Sequence, residues 1–474
     1  MLDSKLRAVI VGCACLLANA CAGSLGVSAS KSATPPAQPA PSVVAPPPSA
    51  AAEVAPQPDA TTSEHDVVES QLSAASFPSA PASDTADVQA PAASDEDDAQ
   101  RYVDVVTEQG QRAHGLYFNA PMALRLGARG VANMVLGAGL DAAVIDIKDG
   151  EGRITYDSQV SDVAGSKHVL LRDAPGFVRE LKKAGVYAIA RIVCFSDPNL
   201  PRAFPDRAIL DGRPGHEGDI WEKNAKRNTW LDPYNEKNHD TIVEIAKEAE
   251  VLGFDEVQLD YIRFPVDVAT KFAVFPAQTD QPRAQVILSL LRKIDAAIHI
   301  PLGTDVFGLT AFKKGDPTGL LGQELELWAK YVEVFTPMLY VYGMAGWMRH
   351  VPQGRAGLLV EQGVKELRER VGAGPVIRPF LQAFPNRADY YNPEFIAEQI
   401  RGARNGGGDG FLFWHPGSNY GMVRAGMQGP ARPLVPFPIE ARRAFRAQAW
   451  GQDEKPAAPE PAVANEPRLE KPAS

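Results

Sequence analysis

Cysteine is scarce in this sequence. Of its four cysteines, Cys13, Cys15 and Cys21 lie near the N terminus, and only Cys194 lies in the long remainder of the chain. A single thiol has no internal disulfide partner, and on an apolar strand we expect it to be a small buried side chain. The sequence contains no Cys/His cluster and no His-x-His pair, which argues against a zinc or binuclear metal hydrolase. We therefore expect no metal and no cofactor.

Lysine and arginine are absent from positions 32 to 100, which consist mainly of Ala, Pro and Ser with scattered acids. Such a segment buries too little apolar surface to offset its ordering entropy, so residues 21–100 are predicted to be a disordered linker. Residues 1–32 sum to +2 and residues 33–100 to −11, so the rest of this −10 chain sums to −1. A nearly neutral folded part without a basic stripe argues against a nucleic-acid partner. Residues 451–474 are predicted to be a disordered tail.

The apolar run near the N terminus is too short to span a bilayer. It extends from Ala8 to Ala18, follows a short basic region and ends in the small-x-small pattern Ala18-Asn19-Ala20. This pattern predicts a signal peptide over residues 1–20 and hence an exported protein. Cys21 resembles the lipidated cysteine of a bacterial lipoprotein, although Ala18 stands where the usual motif has Leu, so cleavage without lipidation stays open. We expect a periplasmic or outer-membrane lipoprotein, or one at the cell surface, with a lipid anchor in the membrane.

Strand-like and helical runs alternate between residues 101 and 450. The strand-like runs are Gly115 to Asn119, Ala142 to Lys148, Tyr187 to Phe195, Glu256 to Phe264, Pro301 to Phe307, Val332 to Tyr340, Val376 to Ala383 and Gly410 to His415. Helical runs fall at about 122–138, 174–184, 236–252, 282–297, 322–330, 358–371 and 393–404. Eight βα units predict an α/β fold of the (β/α)8 TIM-barrel class. An open doubly wound sheet would need a phosphate-binding glycine loop after the first strand, and Ala120-Pro121-Met122 is not one.

The stretch from Gly253 to Pro265 is the most informative part of the chain. Helical spacing ends at Gly253, and a period of two follows in which Gln258 and Asp260 share one face of the strand. A strand that is polar toward the enclosed side and ends in a carboxylate is typical of the active-site end of a barrel strand. Asp260 is therefore the strongest functional candidate.

In such a barrel the chemistry lies at the carboxyl ends of the strands. The polar and aromatic residues predicted there are Asn119, Asp146, Lys148, Arg191, Asp260, Arg263, Asp305, Tyr340, Tyr342, Gln382, Trp414 and His415. Carboxylates with aromatic neighbours suit glycosidic-bond chemistry, in which one acid protonates the leaving oxygen and a carboxylate supports or attacks the oxocarbenium centre. Asp260, Asp305 and Asp146 are the catalytic candidates, and the other residues are candidates for substrate binding.

Four stretches together resemble the bacterial putative glycosyl hydrolase domain family, a domain of unknown function related to established glycoside hydrolases. They are Gly253 to Pro265 (GFDEVQLDYIRFP), Ala143 to Gly152 (AVIDIKDGEG), Trp230 to Asn235 (WLDPYN) and Thr336 to Gly343 (TPMLYVYG). The similarity spans Gly115 to Gly417. It implies a TIM barrel with a glycosidase-like site, but no particular sugar, because fold and kinship do not determine the substrate.

The roles of the carboxylates stay open at the level of sequence. In barrels of the α-galactosidase and α-amylase type, the fourth strand ends in the nucleophile and a later strand supplies the acid. In the cellulase-like clan, the fourth strand supplies the acid and the seventh the nucleophile. This chain departs from both patterns because its sixth strand ends in Tyr340 and its seventh in Gln382. Asp305, on the fifth strand, is the nearest available partner for Asp260, and Asp146 is the third candidate.

Each carboxylate also has a structural interpretation. Asp260 would pair with Arg263 or Arg191, Asp305 would be a cap or turn residue, and Asp146 would belong to an internal ion pair. Similarly, His415 would be a hydrogen-bonded structural histidine.

The longest segment between strands is the one from Ser196 to Asn235. A loop of this length in a barrel is usually functional, so Trp221, Trp230 and Tyr234 are predicted to line a lid or cleft wall. Packing of the loop itself would explain the same aromatic residues.

Two classes of function follow from these residues. The first is a glycoside hydrolase that acts on an envelope or extracellular polysaccharide or oligosaccharide. The second is a non-catalytic glycan-binding barrel tethered to the envelope. The two differ in whether a second carboxylate lies at working distance from Asp260, about 5 to 5.5 Å for a retaining pair and about 6.5 to 9.5 Å for an inverting pair.

Overall fold

A computed structural model describes residues 105–222, 229–266, 268–312, 315–316, 319–344, 354–388 and 390–427. The predicted signal peptide, linker and C-terminal tail lie outside these residues, as does Cys21. Within the described ranges, no helix has the length and apolar character needed to cross a membrane.

The described strands form one large parallel sheet and one small antiparallel pair. They are β1 (His114–Phe118), β2 (Ala142–Lys148), β3 (Tyr187–Val193), β4 (Leu210–Asp211), β5 (Glu256–Asp260), β6 (Ala273–Val274), β7 (Leu302–Val306), β8 (Val334–Pro337), β9 (Val376–Ile377), β10 (Phe380–Gln382) and β11 (Phe411–Trp414). The large sheet has the order β10-β11-β1-β2-β3-β5-β7-β8-β9. A parallel bridge between Met338 and Phe380 closes this order into a ring, with β9 and β10 as two parts of one strand position. The fold is therefore an eight-position TIM barrel.

The described helices lie before, between and after the barrel strands. They are α1 (Glu108–Gln111), α2 (Ala120–Gly137), α3 (Ala174–Lys183), α4 (Leu200–Ala203), α5 (Glu236–Val251), α6 (Arg283–Ala297), α7 (Leu325–Trp328), α8 (Val341–Met344), α9 (Arg355–Val371), α10 (Pro393–Asn405) and α11 (Gly421–Met427). Side chains of Asn119, Asp173, Asn235 and Asn392 cap the N termini of α2, α3, α5 and α10. These caps satisfy backbone N–H groups that have no partner within the helix.

The predicted TIM barrel is confirmed, and local chemistry explains where its element boundaries differ. The fourth barrel strand ends at Asp260 rather than Phe264 because Tyr261 has a left-handed φ of 51°. The seventh barrel strand is interrupted between Ile377 and Phe380, where Pro379 has no N–H to donate to a neighbouring strand. The predicted helix at 322–330 is reduced to α7.

The amino-terminal end of the barrel is filled by a buried ion pair. Arg378 binds Glu256 at the first position of β5 and donates a hydrogen bond to the Gly110 carbonyl of α1 at 3.1 Å. Tyr187 donates to the second Glu256 oxygen at 3.3 Å. These buried contacts close the amino-terminal end of the barrel, so the candidate site is sought at the opposite, carboxyl end of the strands.

The long segment after β3 packs onto the main hydrophobic core and pairs with the segment after β5. Its β4 pairs antiparallel with β6 of the segment after β5. Trp221 and Trp230 are each only 1% exposed and belong to the main hydrophobic core, while Tyr234 is partly buried against it. The prediction that the two tryptophans line a cleft is wrong, because their rings hold the two loops together.

Candidate active site

Asp260 reaches the barrel interior because β5 alternates its side chains. Val257 and Leu259 pack into the core between strands and helices, whereas Gln258 and Asp260 contact polar groups inside the barrel. The helix before the strand ends at Gly253, whose φ of 93° gives the predicted left-handed stop. After the strand, the left-handed Tyr261 directs its N–H to Asp260 Oδ1 at 2.6 Å. The sharp backbone turn thus fixes the carboxylate at the mouth of the barrel.

Arg191 is the centre of the polar network at the mouth. Its Nη1 donates to Asp146 Oδ1 at 2.6 Å, its Nε donates to Asp260 Oδ2 at 3.1 Å, and its Nη2 contacts the same Asp260 oxygen. Asp305 Oδ2 lies 3.8 Å from Nε. One guanidinium therefore faces three carboxylates from three strands, and the ion pairs expected of Asp146 and Asp260 both form with it.

The shared contact with Arg191 limits the distance between Asp260 and Asp305. Their Oδ2 atoms lie 3.1 and 3.8 Å from Arg191 Nε, so these two atoms are at most about 7 Å apart. Asp305 is not a turn residue, because its Oδ1 accepts a hydrogen bond from Gln258 Nε2 inside the barrel. This upper bound is compatible with the separation of about 5 to 5.5 Å between the carboxyl groups of a retaining pair.

Burial and neighbouring charges change the pKa values of the carboxyl groups in the network. Burial, followed by the neighbouring charge of Asp260, raises the pKa of Asp305 well above its usual range. Burial also raises the pKa of Asp146 to about 6, against the opposing effect of Arg191. Asp260 receives donors from both Arg191 and the Tyr261 backbone, an arrangement that stabilises a carboxylate. The site thus places a carboxyl with a raised pKa beside one that accepts hydrogen bonds from a guanidinium and a backbone N–H, an arrangement suited to acid and base chemistry at a single centre.

Tyr117 is a member of the network that the sequence interpretation missed. Its hydroxyl donates to Asp146 Oδ2 at 2.6 Å, and the Arg191 guanidinium carbon lies 5.4 Å from the centre of its ring. Burial raises its pKa, as does the charge of Asp146, so the hydroxyl stays a donor. The sequence did offer a signal, because Tyr117 lies two residues before Asn119 in the predicted strand Gly115 to Asn119 and alternation places both on one face of that strand.

Lys148 and Arg263, both predicted to bind substrate, are buried in structural contacts. Lys148 is 1% exposed, and its ammonium group binds Asp197 at 2.7 Å and the Val193 carbonyl at 2.8 Å. Arg263 is 2% exposed and lies over the ring of Trp230 at 5.2 Å. We therefore reassign these two residues to holding the loops after β3 and β5 in place.

Aromatic rings line the other side of the mouth. Trp414, at the end of β11, is partly buried, and its ring centre lies 6.1 Å from that of Tyr117, 5.8 Å from Tyr340 and 5.5 Å from Phe384. Tyr342 extends this aromatic wall through Phe384 at 5.9 Å. The wall therefore consists of Tyr117, Tyr340, Tyr342, Phe384 and Trp414, and it begins where the carboxylate network ends.

The remaining predicted site residues support this end of the barrel. Gln382 accepts a hydrogen bond from the Tyr342 N–H at 2.9 Å and is fully buried, so it positions the aromatic wall. Asn119 caps α2 through Met122 N and donates to the Pro416 carbonyl. His415 is partly buried, accepts from Gly417 N at 2.9 Å and has its pKa lowered to about 4 by burial. A neutral, hydrogen-bonded His415 agrees with its interpretation as a structural histidine.

No group of three or more His, Cys, Asp or Glu side chains in the described part of the chain is arranged to hold a metal ion. The three aspartates at the mouth instead face the guanidinium of Arg191. Cys194 is a buried free thiol, as expected.

The raised pKa of Asp146 predicts a specific pH dependence of stability. Its folded-state pKa of about 6 lies above the ordinary value of 3.8, so folding favours the protonated form. The resulting stabilisation is present below about pH 4 and is lost as pH rises through about 6. A shift of about two units corresponds to about 3 kcal/mol. We expect the free energy of unfolding of the wild type, relative to Asp146→Asn, to fall by about this amount between pH 4 and 7. Urea denaturation at successive pH values measures it, and a constant difference would contradict the prediction.

A closed barrel with a carboxylate network and an aromatic wall at the carboxyl ends of its strands defines a glycoside-hydrolase-like TIM barrel. The family model described as "Putative glycosyl hydrolase domain" matches residues 117–420. The chain belongs to this family, which confirms the resemblance found in its sequence motifs.

Several solved structures are similar to this chain. A hypothetical protein from Ruminiclostridium thermocellum ATCC 27405 has 29% identity, covering 40% of this chain and 97% of that one, with a TM-score of 0.36. An α-galactosidase from Thermus thermophilus has 14% identity, covering 76% of this chain and 66% of that one, with a TM-score of 0.41. The α-L-fucosidase isoenzyme 2 from Paenibacillus thiaminolyticus has 12% identity, covering 72% and 50%, with a TM-score of 0.42. No curated protein matches the chain.

Proposed function

We propose that this protein is an exported glycoside hydrolase that cleaves glycosidic bonds of an envelope or extracellular polysaccharide. The observation that carries the proposal is the position of Asp260 and Asp305, whose Oδ2 atoms both lie within 4 Å of Arg191 Nε. A second carboxylate at working distance is the condition that separates a hydrolase from a binding barrel. Membership of the glycosyl hydrolase domain family supports the same reaction class.

The electrostatics support different roles for the two aspartates. Asp305 is buried beside the charge of Asp260 and so retains a proton that it donates to the glycosidic oxygen. Asp260 receives donors from Arg191 and Tyr261 and supplies the negative charge that supports or attacks the oxocarbenium centre. Asp146 holds Arg191 in place from the opposite side.

The aromatic wall provides the surface on which the substrate binds. Sugar rings present C–H faces that pack on aromatic side chains, and Trp414 is the most accessible ring of the wall. A sugar on Trp414 lies next to Tyr117, whose hydroxyl contacts the carboxylate network. This arrangement favours a neutral or weakly charged glycan ring at the mouth.

One observation favours the second function, a glycan-binding barrel without catalysis. Arg191 forms ion pairs with both Asp260 and Asp146 in a network that is almost entirely buried. Such a network would also serve to stabilise a barrel that holds polysaccharide through its aromatic wall alone.

Incubation of the full chain with a panel of bacterial polysaccharides distinguishes the two functions. Release of reducing ends, measured over time, is expected for at least one polysaccharide if the protein is a hydrolase. Retention on an immobilised polysaccharide without release of reducing ends across the panel would instead establish a binding barrel. The same samples analysed by NMR at early times would reveal the anomeric configuration of the product.

We further propose that Cys21 carries a lipid that anchors the protein in the membrane. Its position directly after the signal-peptide pattern supports this location. Cys21→Ser is expected to move the protein from the membrane fraction to the soluble periplasm or the medium. Fractionation followed by immunoblotting measures the change, with Cys194→Ser as a control that should stay in the membrane fraction. Unchanged fractionation of Cys21→Ser would refute the anchor.

A further inference from the structure

Tyr117 contacts both the carboxylate network and the aromatic wall at the mouth of the barrel. On one side its hydroxyl donates to Asp146 Oδ2 at 2.6 Å, and the guanidinium of Arg191 lies over its ring. On the other side its ring lies 6.1 Å from that of Trp414 with an angle of 29° between the planes. Tyr117 is 6% exposed, so the neighbouring groups hold it in one position.

We propose that Tyr117 is a positioning residue, whose hydroxyl orients Asp146 toward Arg191 and whose ring supports Trp414 as a platform for the sugar. The inference rests on the proposed function for its kinetic consequences, but not for its effect on Asp146. A sugar that packs on Trp414 would therefore contact a ring that is stacked on Tyr117, and the hydroxyl of Tyr117 is hydrogen-bonded to Asp146 of the carboxylate network.

The hydroxyl is expected to act through the charge state of Asp146. The groups around this carboxyl are Arg191 on β3, Tyr117 on β1 and Asp149 in the loop after β2. Arg191 and Tyr117 favour the ionised form, whereas burial and Asp149 favour the protonated form. Without the phenolic donor, Asp146 should keep its proton to higher pH and bind Arg191 less tightly. Arg191 would then hold Asp260 less firmly, because one guanidinium binds both carboxylates.

Tyr117→Phe removes the hydroxyl and keeps the ring. The pH at which the Asp146-dependent loss of stability occurs should rise by about one unit, since a hydrogen bond to a charged group contributes energy of this order. Urea denaturation of the full chain at successive pH values, compared with the double variant that also carries Asp146→Asn, measures the shift without any substrate. On a polysaccharide that the wild type cleaves, kcat should fall about tenfold with KM within about twofold, and the acid limb of the pH profile should move upward.

Tyr117→Leu removes the ring as well. Trp414 then loses its stacked neighbour, so this variant should raise KM, or weaken retention on immobilised polysaccharide, at least about fivefold relative to Tyr117→Phe. The comparison of the two variants separates the contribution of the hydroxyl from that of the ring.

Tyr420→Phe is the matched control. Tyr420 is also a buried tyrosine, but its hydroxyl donates to the backbone carbonyl of Tyr117 at 2.5 Å rather than to a carboxylate. This variant should lose stability without moving the pH of the Asp146 step. If Tyr117→Phe behaves in the same way, the hydroxyl is merely structural and the proposal is overturned. If the wild type cleaves no glycan, the proposed function fails, and the denaturation series still decides whether Tyr117 sets the charge of Asp146.

Discussion

Asp260→Asn is expected to lower turnover on a cleaved polysaccharide by at least ~10²-fold, the usual scale of a catalytic proton or charge. Asparagine keeps the size of the side chain, but its single amide oxygen can accept from only one of Arg191 and the Tyr261 N–H, each of which binds a different oxygen of Asp260. It lacks the negative charge that supports the oxocarbenium centre. Asp305→Asn should lower turnover by a similar factor, because the amide has no acidic proton to donate. Reducing ends released per mole of folded protein measure both effects.

Asp232→Asn provides the matched control for these variants. Asp232 is as buried as Asp305, but its carboxylate accepts backbone N–H groups of Tyr234 and Ala277 in the loops rather than inside the barrel. Its replacement should reduce stability while turnover per folded molecule stays near the wild-type value. A stable Asp260→Asn protein with undiminished turnover would remove Asp260 from the mechanism and favour the binding barrel.

Arg191→Met is expected to have the largest effect on stability. Methionine fills a similar apolar volume but leaves Asp146, Asp260 and Asp305 without the guanidinium that contacts all three. Removing one partner from a buried ion network typically costs about 3 to 5 kcal/mol. We expect a loss of this size in the free energy of unfolding near pH 7, measured by chemical denaturation. The loss should shrink toward pH 4, because the carboxyls that then take up protons no longer need a counter-charge.

Arg191→Lys tests whether charge alone is sufficient. An ammonium group keeps the positive charge but cannot bind two carboxylates through separate nitrogens of a planar group. We expect a stability between those of Arg191→Met and the wild type. Wild-type stability of Arg191→Met at pH 7 would show that the network contributes nothing to the fold.

The barrel itself was predictable because its signals are local. Strand alternation and helical spacing depend on residues a few positions apart, and the caps at Asn119 and Asn235 lie directly before their helices. The same local period placed Asp260 on the inner face of β5, where its contact with Arg191 lies. The prediction of where strands end was less accurate, because nothing in the sequence clearly signals the left-handed φ of Tyr261.

The partners of each charged residue were decided by the tertiary structure. The sequence predicted an internal ion pair for Asp146 without naming its partner, and the fold pairs Asp146 with Arg191 and Lys148 with Asp197. Tyr117 joins this network from β1, because β1 pairs with β2 in a register that brings its hydroxyl to Asp146.

Periodicity and motifs that are contiguous in the chain were therefore enough to predict the fold class, the family and the carboxyl side of the barrel on which the candidate site lies. Only the tertiary structure decided that one guanidinium serves three carboxylates and that Trp221 and Trp230 are buried in loop packing instead of lining a cleft. The physical reason is that such contacts join residues up to about a hundred positions apart, and their geometry depends on strand register, loop packing and burial, which no short stretch of sequence encodes.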